Sequence, residues 1–349
     1  MNYKFYALTK KGVLEQFEDE LPVLEDDELL VKQMACNICT TDYQQWQGKR
    51  EHQGYPMAGG HECSGIVIDK GSKVGDSFNI GDHVAVVYDY CGICDPCKQG
   101  YITNCENIKQ FGKNYSDKFY GIFGFTTYFQ RKAKSFVRIS DDLDFSEAAF
   151  VEPLSSIIAG VDKLDIKPED TVLVIGSGTM GILNALYVKS FGCKVILSGT
   201  NDEKNKIATA MGLDTINPKK VDLTHEILVL NNGKLADIVI VAAGSSSAND
   251  QALKNTKQYD AQILFYAAGY PVPELSISSN DIHYRRISLI GAYGSKLYDF
   301  NRASDMLSSG KIKVSKLVEE RYKFDDIDKA FEKAATKGSF RVSVLLNEE

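Results

Sequence analysis

The stretch 171-TVLVIGSGTMGILNALYVK-189 decides the architecture of this chain. Its first five residues form a short, almost wholly apolar, largely β-branched run, as expected of a strand buried on both faces. Gly176-Ser-Gly178-Thr179-Met180-Gly181 comes immediately after it, and a stretch of helical length follows. In that setting the first glycine turns the chain, the second lets backbone approach a pyrophosphate, and the third lets the helix pack against the strand. The N-terminus of the helix attracts the anion. Gly176, Gly178, Thr179, Met180 and Gly181 are therefore the expected coenzyme-binding residues. A ligand-free turn is the plainer reading of a G-x-G-x-x-G, and the placement between strand and helix weighs against it.

Strand and helix go on alternating after this unit. Strands are expected at 194-KVILS-198, 237-DIVIVA-242, 261-AQILFYA-267 and 287-ISLIGA-292, with helices at 179–191, 202–211 and 247–257. The pattern predicts a doubly wound parallel sheet. Upstream the texture differs: 28-ELLVKQMA-35, 64-SGIVID-69 and 82-DHVAVVYD-89 are short runs set apart by Gly59-Gly60, Gly71 and Gly81, which predicts a β-barrel-like domain. Past residue 295 come helices near 299–308 and 325–337 and a strand 340-FRVSVLL-346 that returns to the first domain. The fold class expected is thus α/β, with 1–152 and 296–349 forming one domain, 153–295 forming the dinucleotide domain, and a site in the cleft between them.

The end of the second strand of the sheet normally carries an acid that accepts hydrogen bonds from an unmodified ribose. Here Ser198 is followed by Gly199. Without that acid a 2′-phosphate is not repelled, and Gly199, Thr200, Asn201 and Lys204 are the candidate contacts, which favours NADP. No arginine stands there to grip a phosphate, so NAD held by backbone and the Thr200 hydroxyl stays open.

Composition narrows the function. With 349 residues, 44% hydrophobic, 25% charged and a net charge of −7, the chain is of ordinary globular type and long enough for two domains. The acidic balance argues against nucleic acid or an anionic membrane as principal partner. No apolar run reaches the length of a spanning helix, and the opening MNYKFYALTKKG lacks the apolar segment of a signal peptide, so the expectation is a cytoplasmic protein with reduced thiols.

Those thiols are patterned. Cys91, Cys94, Cys97 and Cys105 stand as C-x2-C-x2-C-x7-C in a loop carrying Gly92, Pro96 and Gly100, the spacing of a structural zinc site rather than of a disulfide cluster. Cys39, the pair His61-Glu62 and Glu152 are scattered, as suits a catalytic zinc with three protein donors and one open position. Cys39 and His61 are the expected ligands, and Glu152 or Glu62 completes the set, the pair exchanging as substrate arrives. Two zinc ions per chain are expected.

In order along the chain, 35-ACNICTTD-42, 60-GHECSG-65, 81-GDHVAV-86, the four-cysteine loop, 152-EP-153 and 176-GSGTMG-181 resemble the zinc-dependent medium-chain dehydrogenase/reductase superfamily over the whole length. The resemblance implies a GroES-like catalytic domain broken by a Rossmann coenzyme domain, interconversion of alcohol and carbonyl, and a homodimer or homotetramer. Gly-His-Glu paired with Glu-Pro, and 283-HYRRISLIGAYGS-295, are similar to the sorbitol and polyol dehydrogenase branch, which implies a sugar alcohol or vicinal diol as substrate. The chemistry expected is Lewis-acid polarisation of a hydroxyl, proton transfer through Thr41 and hydride transfer to nicotinamide. Two positions depart from the pattern. Thr40 replaces the usual glycine, and Gln44 replaces a histidine that often closes a proton relay.

Cys36, Cys63 and Cys193 read as buried fillers, Asp42 as a group that orients a ligand or turn, and Trp46 as either packing or site wall. Lys49 and Arg50 read as a solvated loop or as a grip for a phosphorylated polyol. The alternatives are a simple secondary-alcohol or aldehyde dehydrogenase, a threonine-type dehydrogenase, and a non-catalytic nucleotide-binding zinc protein.

Overall fold

The computed structural model describes residues 1–50, 54–108 and 115–347. The chain forms two compact units, one of Met1–Ser155 with the chain from Gly294 onward, the other of Ser156–Tyr293.

The Ser156–Tyr293 unit is built on six parallel strands, in the spatial order Asp214–Ile216, Lys194–Ser198, Thr171–Ile175, Ile238–Val241, Gln262–Phe265 and Ser288–Gly291. All residues of Thr171–Ile175 and Ile238–Val241 are buried, as a parallel sheet covered on both faces requires. Leu173, Ile175, Val239, Val241 and Ile263 form part of its core. The strand order reverses on either side of Thr171–Ile175, so Gly176 emerges at the switch point where such sheets bind ligands. The expected strands and helices appear within a residue or two. The strand Asp214–Ile216 and the helix Leu223–Leu230 were not foreseen: three residues are too few to show a period, and LTHEILVL has no clear polar face. Asp222, whose side chain accepts the N–H of His225, was the available signal for that helix.

The other unit carries a hairpin, Asn2–Lys10 with Val13–Glu20, and a seven-stranded mixed sheet. The sheet runs Val318–Lys323, Arg341–Leu345, Glu28–Ile38, Glu62–Lys70, His83–Val86 and Phe136–Arg138, with Tyr128–Lys132 also paired to Glu28–Ile38. Its core is aromatic, with Phe5, Phe119, Phe123, Phe125, Phe129, Phe324 and Phe331 among its members. The central strand runs to Ile38, past its expected end, because the polar Asn37 is buried with its amide donating to Ser146 O. Register then decides position. Asn37 lies opposite Glu62 and Ile38 opposite Val342, so Cys39, Glu62 and Arg341 meet at one end of the sheet. No described helix is long and apolar enough to cross a membrane.

Candidate active site

Cys39 precedes the helix Thr40–Trp46, and Asp42 in that helix's first turn is buried. Asp42 Oδ2 accepts the N–H of Cys39 at 2.9 Å and Oδ1 accepts the N–H of Gly60 at 3.2 Å; His61 Nδ1 lies 3.7 Å from Oδ1. One carboxylate therefore ties the Cys39 turn to the His61 turn, the orienting role its position suggested. Gly60 adopts a φ of +86°, and a Cβ there would lie 2.9 Å from Cys36 Sγ, so the turn that delivers His61 requires glycine.

Glu62 starts the neighbouring strand and is fully buried. Arg341 grips it with both arms, Nε to Oε2 at 2.7 Å and Nη2 to Oε1 at 2.6 Å, and Nη2 also lies 3.6 Å from Cys39 Sγ. Donor atoms of Cys39, His61 and Glu62 all lie within 4.8 Å of one another. Glu152, in the first turn of Val151–Val161, stands outside that trio, and its Oε1 accepts a hydrogen bond from the Tyr88 hydroxyl. The two glutamates are thus differently engaged.

The donor set fits a divalent cation. Sulfur, imidazole and carboxylate are donor types that zinc takes, and those of Cys39, His61 and Glu62 converge in one largely buried site. The protein's own groups register their neighbours. Burial pulls the His61 imidazole down, yet Asp42, Cys39 and Glu152 outweigh it and hold the ring well above its ordinary value. Burial likewise opposes the Arg341 charge, and Glu62 and Cys39 raise it. Burial, with Glu62 adding to it, lifts the Glu152 carboxyl.

The second cluster is Cys91, Cys94, Cys97 and Cys105, whose four sulfurs lie within 4.8 Å of one another. Cys91 and Cys97 Sγ are 3.9 Å apart, and Cys94 and Cys105 Sγ 4.0 Å. Zn–S bonds of about 2.3 Å place sulfurs about 3.8 Å apart in a tetrahedron, whereas a disulfide needs roughly 2.05 Å. All the cysteines are free. The N–H groups of Ile93 and Cys94 point at Cys91 Sγ and bring its thiol down to about 6, while burial pushes the Cys97 thiol up to about 12.

In the other unit Gly176 takes a φ of +116°. A Cβ on Gly181 would stand 1.7 Å from Gly176 O, so the helix can pack there only with glycine. A Cβ on Gly178 would meet no protein atom within 4 Å, which leaves open space before the helix Thr179–Lys189. No side chain caps that helix at Gly178, and a helix N-terminus favours an anion. The loop therefore fits a pyrophosphate. Thr179 is buried, and Met180 O accepts the amide of Asn184. At the next strand end a Cβ on Gly199 would fall 2.0 Å from Ser177 Oγ and 2.5 Å from Asn205 Oδ1, so no acid fits there. Thr200 is exposed, and Asn201 caps the following helix by accepting the Lys204 N–H.

Around the metal donors, Arg50 Nη1 donates to Thr41 Oγ1 at 3.4 Å, which brings a part-buried guanidinium to the residue expected to handle the proton. Trp46 is a packing residue beside Phe331 in the aromatic core. Cys36 and Cys63 sit in that core with sulfurs 3.4 Å apart, and Cys193 is buried. Sequence reasoning missed Arg341 and Tyr88. The first was signalled by a lone cation in an apolar strand; the second carried no signal.

Gly181→Ala is expected to lower the thermal midpoint of the coenzyme-free protein clearly, while Gly178→Ala changes it far less but weakens coenzyme binding by about tenfold or more. Calorimetry and fluorescence titration check the two effects. Arg341→Leu is expected to cost the metal-free protein about 3–5 kcal/mol by stranding Glu62, and Arg341→Leu with Glu62→Met should recover most of it in denaturant titrations.

Residues 25–141 match the family of alcohol dehydrogenase GroES-like domains, and residues 179–309 match the zinc-binding dehydrogenases. A sorbitol dehydrogenase from Halalkalibacterium halodurans is 29% identical over 328 residues, 90% of each chain. D-arabitol-phosphate dehydrogenase from Enterococcus avium is 26% identical over 357 residues, 98% of this chain and 99% of that one. A structure from Sinorhizobium meliloti 1021, described as a zinc-binding dehydrogenase bound to NADP, superposes with a TM-score of 0.87 at 26% identity, covering 99% of both chains.

Proposed function

The chain belongs to the zinc-dependent medium-chain dehydrogenase/reductase superfamily, and from that premise we propose how its own residues oxidise a polyol. It is a zinc-dependent, NAD(P)-linked alcohol dehydrogenase of the polyol branch, with a small-molecule alcohol as substrate. The observation that carries the reading is the convergence of Cys39, His61 and Glu62 around the Arg341 fork.

Cys39, His61 and a glutamate hold the catalytic ion, Glu62 in the arrangement observed and Glu152 as its alternate. Cys91, Cys94, Cys97 and Cys105 hold a structural one. The bound groups supply Lewis-acid polarisation of a hydroxyl, from Zn²⁺, and hydride acceptance, by the nicotinamide. The protein does the rest. Asp42 keeps Cys39 and His61 in place, and Arg341 keeps Glu62 oriented. Thr41 presents a hydroxyl that would accept the substrate proton while passing its own to the ribose hydroxyl, water or a glutamate, since Gln44 cannot titrate. Gly176, Gly178 and Gly181 shape the pyrophosphate loop, and Thr200, Asn201 and Lys204 flank the ribose. NADP is the favoured coenzyme, since nothing larger than glycine fits at Gly199 to contribute an acid. A cytoplasmic homodimer or homotetramer completes the reading.

Arg50 beside Thr41 supports an anionic substrate, a phosphorylated or carboxylated polyol. Initial rates over neutral polyols, polyol phosphates, aldonates, secondary alcohols and threonine, with NAD and with NADP, test this on protein of known metal content. Expected are two zinc ions per chain, turnover of a polyol and preference for NADP. One zinc and no turnover of any panel member would sink the catalytic reading. Arg50→Gln is expected to raise KM for anionic polyols about tenfold while leaving neutral ones nearly unchanged; an equal effect on both would remove the anion role.

A further inference from the structure

Tyr88 lies beyond the end of the strand His83–Val86, three residues before Cys91, and no family motif quoted above includes it. Its ring packs edge-on against Phe300, with centroids 5.8 Å apart at 86°, and Phe300 is fully buried. Its hydroxyl donates to Glu152 Oε1. The aromatic packing fixes the ring, so the hydroxyl has a defined place from which to hold the carboxylate.

Two glutamates border the Cys39–His61 pair, and each has its own restraint. Glu62 is held in the donor cluster by Arg341, while Glu152 is held outside it by Tyr88. A carboxylate released beside an ion that already has a thiolate, an imidazole and a second carboxylate would compete for the remaining position of a four-coordinate site.

We infer that Tyr88 is a positioning residue that keeps Glu152 off the catalytic metal, so that Cys39, His61 and Glu62 are the protein's donors and one position stays available to substrate. The inference rests on the metal site proposed above and assigns its third ligand.

The test is the visible spectrum of the Co²⁺-substituted full chain, taking as active-site signal the part that Cys39→Ser removes. Glu152→Gln in an otherwise unchanged chain is expected to leave that signal as it is, since Glu152 is not a ligand. Tyr88→Phe, which keeps the ring packing, is expected to shift the d–d bands and to slow Co²⁺ loss to a chelator by about tenfold or more. Tyr88→Phe with Glu152→Gln should return both readouts to those of the unsubstituted protein, an outcome that general loosening of the fold would not produce. A changed signal in Glu152→Gln alone, or an unchanged one in Tyr88→Phe, overturns the assignment. No Cys39-dependent signal at all would instead overturn the metal site itself. Should Tyr88→Phe fail to fold, the Glu152→Gln spectrum still decides.

Discussion

The constraint on which the site depends is a buried ion pair. Arg341 and Glu62 are almost wholly removed from water and meet through two short hydrogen bonds at the end of the mixed sheet, with the Cys39 sulfur against the same guanidinium. Such a pair is a poor source of stability, because desolvating two ions costs about what their attraction returns. Its value is positional. The fork fixes a carboxylate inside the fold, and that carboxylate belongs to a sulfur, imidazole and carboxylate donor set of the kind that zinc takes.

The pair also ties distant parts of the chain together. Residues 38, 62 and 341 meet because three strands share one register, and a slip by one residue would turn Arg341 to the other face and leave Glu62 stranded. Asp42 does the same on a smaller scale, joining the Cys39 turn to Gly60 through two backbone hydrogen bonds. The candidate metal donors are therefore held in place by two groups, Arg341 and Asp42, that are not among them. The coenzyme loop follows a different logic: bare backbone, glycines where a Cβ would strike a carbonyl, and a helix N-terminus that no side chain caps.

Local patterns carried much of this into view. A buried parallel strand announces itself by its apolar run, a phosphate loop by three glycines, and a four-thiolate site by the spacing of its cysteines, since each depends on residues close in sequence. The helix Leu223–Leu230 and the strand Asp214–Ile216 escaped because their periods are too short or too uniform to read. Trp46 was equally compatible with core and site until Phe331, far along the chain, was seen beside it.

By itself the sequence determined the alternation of strand and helix, the glycine loop, the tetrathiolate cluster and the absence of an acid after the second strand, where Gly199 stands. Only the tertiary structure decided which glutamate sits with Cys39 and His61. Glu62 and Glu152 are chemically the same, and they differ in their partners, Arg341 and Tyr88, which lie 279 and 64 residues away. Spacing rules describe ligands that one loop can carry, whereas the engagement of a buried carboxylate depends on which donors the packed fold brings against it.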